Sequence, residues 1–157
     1  MTDLITDDNL AQRLDAAREA LGWSIRHLSH RLGSADASIR RMIRGKRHLP
    51  TPLVEWAETL ADALADVPVH DTGEPMSADE LRDLLETIGW GFDVAAERLA
   101  DDRRHMARML DGRVEVPPSI AGYLRAYSGI LLEHPARPQG WGGPGRHAVR
   151  DATAAGA

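Results

Sequence analysis

The chain has 157 residues, of which 43% are hydrophobic and 27% charged, a balance that is typical of globular domains and excludes an intrinsically disordered chain. The lack of cysteine excludes disulfide scaffolds, zinc fingers and a cysteine nucleophile. Its 23 alanines and 18 arginines, with only 4% aromatic residues, favour helices over strands, and no stretch approaches the roughly 18 to 20 apolar residues of a membrane helix. This composition predicts an all-α protein. The first residues are acidic and unlike a secretory signal, so we expect a cytoplasmic location.

The first predicted elements are two helices that end at glycines. Apolar residues recur at helical spacing over 10–21 and stop at Gly22, which is typical of a helix C-terminus. Ser24 is a candidate N-cap for a short helix over 25–32, and Gly33 ends that helix. The pattern predicts a tight connection after each helix.

Two further helices complete this first set. A short helix is predicted from about Asp36 to Arg44, closed by Gly45. Pro50 and Pro52 begin a longer helix. The apolar stripe of this longer helix consists of Leu53, Trp56, Leu60 and Leu64.

The sequence repeats itself without a gap when Leu14 is aligned with Leu81. Of the 55 positions in 14–68, 12 are identical to their counterparts in 81–135, including Gly22-Trp23 with Gly89-Trp90. A chance alignment would not preserve glycine, proline and apolar positions together, so the sequence indicates a tandem duplication. A capping box from Ser77 to Glu80 begins the second copy.

The repeat and the composition predict the domain boundaries. We expect one domain over 1–68, a polar linker over 69–76 and a second domain over 77–135. Residues 136–157 are rich in glycine, proline and alanine and are predicted to form a mostly flexible tail. Contacts by Trp141 and by Arg137, Arg146 and Arg150 are the less favoured alternative.

The first copy has the spacing of a helix-turn-helix. Leu28 and Ile39 pin two short helices to the bundle, Ser29 lets them approach, and Gly33 makes the turn. Residues 21–47 read LGWSIRHLSHRLGSADASIRRMIRGKR. This stretch resembles the Cro/cI (XRE) class of helix-turn-helix regulators, whose pattern is roughly L-G-L-[ST]-Q-x-x-L-A-x-x-L-G-V-[ST]-x-x-[ST]-[IV]-x-x-[IW]-x-x-G-x-R-x-P. The resemblance covers about residues 10–66 and, less closely, 77–133.

The resemblance implies DNA contacts at specific residues. The residues at base-reading positions of the family are Asp36, Ala37, Ser38 and Arg41. Those at its phosphate-binding positions are Ser24, Arg44, Lys46 and Arg47. Arg40 shares a helix face with Arg44 at i, i+4 and joins this set. In the second copy the candidates are Arg103, Arg104, Arg108 and Arg113.

Both copies depart from the family pattern. The family's first-helix glutamine is Ile25 in one copy and Phe92 in the other, and the second copy has Ala95 at the pinning leucine. The turn glycine of the second copy is Ala100. Either Ala100 takes the left-handed conformation, at a cost of roughly 1 kcal/mol, or the turn is rearranged. The intact register on both sides favours the left-handed turn.

Charge separates the two copies, although the whole chain has a net charge of −5. Residues 24–47 contain seven basic residues and one acid, a net charge of +6, whereas 91–114 contain five arginines and five acids. Protonation of His27, His30 and His48 would add to the first value. Because phosphate neutralisation supplies much of the affinity for DNA, the first copy is the predicted main reader.

These patterns favour a transcriptional regulator of bacterial or phage type that binds double-stranded DNA. The alternative is a protein-interaction adaptor, for which the acidic second copy would contact RNA polymerase, a sigma factor or another regulator. The sequence offers no nucleophile motif or phosphate-binding glycine loop, so we expect no enzyme activity and no cofactor. His27 and His30 lack a third ligand with suitable spacing, so we expect no metal site. A domain of about 60 residues is marginally stable alone, which favours packing of the copies or a homodimer.

Overall fold

The computed structural model of the chain describes residues 7–68, 74–100 and 102–141. These residues form eight α-helices and no strand, which confirms the predicted all-α fold. The helices are α1 (Asp7–Leu21), α2 (Ile25–Leu32), α3 (Asp36–Ile43), α4 (Thr51–Ala65), α5 (Ala78–Ile88), α6 (Phe92–Leu99), α7 (Arg103–Leu110) and α8 (Pro118–Glu133). Helices α6 and α7 begin and end at the repeat positions that correspond to the bounds of α2 and α3.

The chain divides into two compact units whose limits differ from the predicted domains. Unit 1 comprises Met1–Asp62 together with Pro135–Ala157, and unit 2 comprises Ala63–His134. The division after Asp62 falls within α4 rather than in the predicted linker. The predicted linker itself is described only at 74–76, and residues 142–157 of the predicted tail lie outside the described residues.

Each unit buries one apolar face of its helices. In unit 1 the fully buried side chains include Leu14, Leu21, Leu28, Ile39 and Leu53. In unit 2 they include Leu81, Ile88, Ala95, Met106 and Leu124. Ala95 is completely buried where the first copy has Leu28, so the smaller side chain still occupies the pinning position.

Local capping explains where α2 begins and ends. The Ser24 Oγ accepts a hydrogen bond from the His27 backbone N–H at 3.0 Å, as an N-cap should. Gly33 has φ +63°, and its N–H donates to the His30 carbonyl at 3.1 Å. Only a residue without Cβ takes this left-handed conformation freely, so both sequence predictions for α2 are confirmed.

The corresponding turn in unit 2 is not left-handed, and our prediction for Ala100 was wrong. Ala100 follows α6 with φ −129° and ψ 156°, an extended conformation. An extended backbone relieves the clash that the alanine Cβ would meet at positive φ. Asp102 then caps α7, where its side chain accepts from the His105 N–H at 2.7 Å.

The first and last helices of each repeat are joined by an ion pair whose charges are reversed between the repeats. In unit 1, Arg13 on α1 donates to Glu58 on α4 through Nη2–Oε1 (2.5 Å) and Nε–Oε2 (3.3 Å). In unit 2, Glu80 on α5 accepts from Arg125 on α8 in two hydrogen bonds of 3.0 Å. Glu80 and Arg125 occupy the repeat positions that correspond to Arg13 and Glu58. Only half of the predicted capping box is seen, because the Ser77 Oγ accepts from the Glu80 N–H while the Glu80 carboxylate binds Arg125.

The described start of the predicted tail is attached to unit 1 rather than flexible. The Trp56 Nε1 donates to the Pro135 carbonyl at 2.9 Å. The Arg137 Nε donates to the Arg31 carbonyl at 2.8 Å, and the Trp141 Nε1 donates to the Leu32 carbonyl at 2.8 Å. The last carbonyls of a helix have no partner within it, so this segment, residues 135–141, completes the C-terminus of α2.

Candidate nucleic-acid interface

Helix α3 has an apolar inner face and a cationic outer face. Ile39 and Met42 are essentially inaccessible, at 0% and 1% exposure. Five of the predicted DNA-contacting residues on α3 and its C-cap are exposed: Asp36, Ala37, Arg40, Arg41 and Arg44. Lys46, in the loop that follows, is also exposed. The helix therefore presents long hydrogen-bond donors on one side while the other side anchors it.

The basic side chains of this face are not neutralised by a carboxylate. Within the described residues, the basic groups without an ion pair include Arg40, Arg41, Arg44 and Lys46. Four unneutralised cations on one helix and its adjoining loop produce a positive potential suited to a polyanion.

Two of the predicted contact residues bind each other. The Arg47 Nη1 donates to the Ser38 Oγ at 3.3 Å, and both side chains are half-buried. This contact fixes the loop after α3 against the helix. Ser24 is exposed at the start of α2, where its hydroxyl already serves as the N-cap.

Not every basic residue of the first copy belongs to this face. The Arg31 guanidinium lies 4.5 Å from the centroid of the Trp23 ring, and its Nε donates to the His27 Nε2 at 2.8 Å. Burial, and then the positive charge of Arg31, lower the pKa of His27 to about 4. His27 is therefore neutral near pH 7 and adds no positive charge, and Arg31 serves the packing around Trp23.

The Trp–Arg stack is repeated in unit 2, and sequence reasoning missed it. The Arg98 guanidinium lies 5.1 Å from the Trp90 ring centroid. The signal was available, because both residues are among the positions identical between the copies. The two tryptophans are themselves buried, with exposures of 2% for Trp23 and 4% for Trp90.

Helix α7 presents a different surface from α3. Arg103, its first residue, forms an ion pair with Asp93 on α6 and lies 5.0 Å from the Phe92 ring centroid. The corresponding residues of unit 1, Asp36 and Arg26, have the opposite charges. The other predicted second-copy residues, Arg104, Arg108 and Arg113, are exposed. The Arg82 Nη2 donates to the Leu110 carbonyl at 2.5 Å, so a basic residue from α5 also closes the end of α7.

The described residues offer no alternative site of metal chemistry, since no three histidine or carboxylate side chains among them converge. None of the helices within the described ranges is long and apolar enough to cross a membrane. No protein-family model matches the chain, and no curated protein or solved structure is significantly similar to it.

Proposed function

We propose that this chain is a sequence-specific, DNA-binding transcriptional regulator of the Cro/cI (XRE) helix-turn-helix type, with α3 as its main reading helix. The observation that carries the proposal is the outer face of α3, where exposed arginines without ion pairs stand opposite buried Ile39 and Met42. A helix with this division fits the major groove, where arginine donates to guanine O6 and N7.

The flanking groups suit the phosphate backbone. Lys46 and Arg44 follow or end the reading helix and are exposed, and Ser24 lies at the N-terminus of α2. Helix N-termini and basic side chains are the common phosphate donors of helix-turn-helix proteins. A homodimer would then cover two half-sites about one helical turn apart.

The direct experiment is genomic selection with the purified full-length chain, followed by affinity measurements on the selected duplex at increasing salt concentration. A protein that contacts several phosphates loses affinity steeply between low and physiological salt, because bound counterions are released. Failure to enrich any duplex, or binding that is indifferent to salt, would reject the proposal.

A second candidate function is that of an adaptor for RNA polymerase, a sigma factor or another regulator. The specific observation in its favour is the ion pair between Arg103 and Asp93, which engages the first cation of α7 within the protein. The window around α6 and α7 also has no net charge. A mixed function, with DNA bound by unit 1 and a partner by unit 2, agrees with both observations.

A further inference from the structure

Unit 2 has an open groove between α6 and α8. Its walls are the end of α6 and the first turns of α8, and its volume is about 190 Å³. The residues that line it are Arg98, Leu99, Ser119, Ile120 and Tyr123. Apart from the Arg98 guanidinium, these walls are formed by apolar or neutral side chains.

The equivalent groove of unit 1 is already filled. Arg31, Leu32 and Trp56 are the first-copy counterparts of Arg98, Leu99 and Tyr123. All three donate to or accept from the segment 135–141, through the hydrogen bonds described above. Residues 135–141 form bends and a turn, in which the Trp141 backbone N–H donates to the Pro138 carbonyl at 3.1 Å. Unit 1 therefore indicates the kind of ligand that suits this groove: a short irregular segment with prolines, an arginine and a tryptophan.

Exposure at the equivalent positions agrees with one filled groove and one open groove. Leu53 and Leu32 are buried at 0% and 1% exposure, whereas their counterparts Ile120 and Leu99 are only half-buried. The aromatic position changes in the same direction, because Trp56 is buried and Tyr123 is half-buried. Groups that are covered in unit 1 thus remain accessible in unit 2.

The end of α6 adds a preference for positive charge. In unit 1, Arg137 lies against Gly33, and a Cβ built on that glycine would come within 3.1 Å of the guanidinium. Unit 2 has Ala100 there, with an extended backbone, so the same close approach is lost. The adjoining surface beside Ala100 is lined by Glu97, Asp102 and the ion pair between Asp93 and Arg103. Glu97 and Asp102 are therefore the carboxylates there that Arg103 does not pair. A basic residue of a bound segment would find carboxylates at this point.

We propose that the groove between α6 and α8 binds a short irregular segment of a partner protein, one that carries proline, a basic residue and an aromatic anchor. A second copy of this chain is a poorer occupant, because its own segment 135–141 already makes three hydrogen bonds within its unit 1. The site does not rest on the proposed DNA binding, since none of the groove residues belongs to the predicted DNA-contacting sets.

The test uses the full-length protein and a fluorescently labelled peptide with the sequence of residues 133–141. Anisotropy titrations should show saturable binding, weakened at least tenfold by Ile120→Glu, which places a charge in the groove. Leu132→Glu is the matched control, because Leu132 lies on the same helix, is 71% exposed and does not line the groove. A peptide with Trp141→Ala should also bind at least tenfold more weakly.

Three outcomes would overturn the proposal. The first is the absence of saturable binding, and the second is equal weakening by Ile120→Glu and Leu132→Glu. The third is concentration-dependent dimerisation of the full chain that excess peptide reverses, which would identify the occupant as a second copy. If circular dichroism shows that Ile120→Glu does not fold, Ser119→Arg, at the half-buried rim, replaces it.

Discussion

Arg41 lies on the outer face of α3, exposed and directly before the buried Met42. We expect Arg41→Ala to weaken binding to the selected duplex by about 1 to 3 kcal/mol and to relax preference at one base pair, as for an arginine that reads a guanine. Binding curves against duplexes substituted at each position would measure both effects. Unchanged affinity and preference would mean that another side chain reads the sequence.

Lys46 should behave differently from Arg41 because it lies in the loop after α3, the proposed reading helix. We expect Lys46→Ala to weaken binding to selected and unselected duplexes alike and to reduce the salt slope by about one. Plots of log affinity against log salt concentration would separate the two variants. A loss confined to the selected duplex would contradict the phosphate role of Lys46.

The low pKa of His27, about 4, couples folding to pH. An unfolded chain takes up this proton near pH 6.5, whereas the folded protein resists it down to about pH 4. The stabilising effect of neutral His27 is therefore complete above about pH 6.5 and is lost as the pH falls towards 4, by no more than about 1.4 kcal/mol per pH unit. Denaturant titrations across this range should show a shallower pH dependence for His27→Gln than for the wild type, and equal slopes would refute the coupling.

Individual side chains were predictable from the sequence where their role is local. Ser24 and Ser77 were expected to cap helices and do so, because the N-cap bond spans only three residues. Arg31 was counted as a surface charge but stacks on Trp23. Its role depends on the orientation of α2 against the core, which charge counting does not contain.

At the level of elements, the turns after α2 and α6 differ in backbone conformation, so a substitution destabilises each turn for a different reason. Gly33→Ala should destabilise the protein by about 1 kcal/mol or more, because Gly33 has φ +63° and the added Cβ would crowd Arg137. Ala100→Gly should also destabilise it, by roughly 0.5 to 1 kcal/mol, because the extended backbone tolerates alanine and glycine adds entropy to the unfolded chain. Equilibrium denaturation would give both values, and stabilisation by Ala100→Gly would indicate a left-handed turn.

The sequence predicted the bounds of α2 and α3 well but the connections between elements less well. Helices α2 and α3 were expected over 25–32 and about 36–44, and they end at or within one residue of those limits, since glycine and cap residues mark them. Residues 136–141 were expected to be flexible, as part of the tail over 136–157, because that stretch contains too few apolar residues to bury surface by itself. The structure orders it through hydrogen bonds to α2, and only the three-dimensional position of that helix end reveals them.

For the molecule as a whole, the difference in surface charge between α3 and α7 predicts a division of labour under the proposed DNA binding. The double substitution Arg40→Glu with Arg41→Glu in α3 should abolish DNA binding at physiological salt. Arg104→Glu with Arg108→Glu in α7 changes the net charge equally and serves as the matched control. Gel-shift titrations of both full-length variants would compare them, and equal losses would indicate that the two copies contact DNA together.

The reversed ion pairs have a consequence for how a duplicated chain finds its own structure. During folding, α1 meets two similar partners, α4 and α8, and only α4 offers a carboxylate to Arg13. Pairing with α8 would place Arg13 beside Arg125, while α5 against α4 would place Glu80 beside Glu58. Each correct pair is partly exposed and contributes only about 0.2 to 1 kcal/mol, yet every mispaired arrangement brings like charges together.

We therefore expect the reversed charges to favour the native helix pairing within each half of the chain. Exchanging the unit 1 pair, by Arg13→Glu with Glu58→Arg, keeps an ion pair in the native protein. Both halves then have glutamate on the first helix and arginine on the last, so mispaired helices no longer bring like charges together. We expect this variant to refold from denaturant with lower monomer yield and more domain-swapped oligomers, measured by size-exclusion chromatography. Yields equal to the wild type would show that packing alone sorts the helices. If the charge reversal does sort the helices, two halves with similar cores can fold separately within one chain.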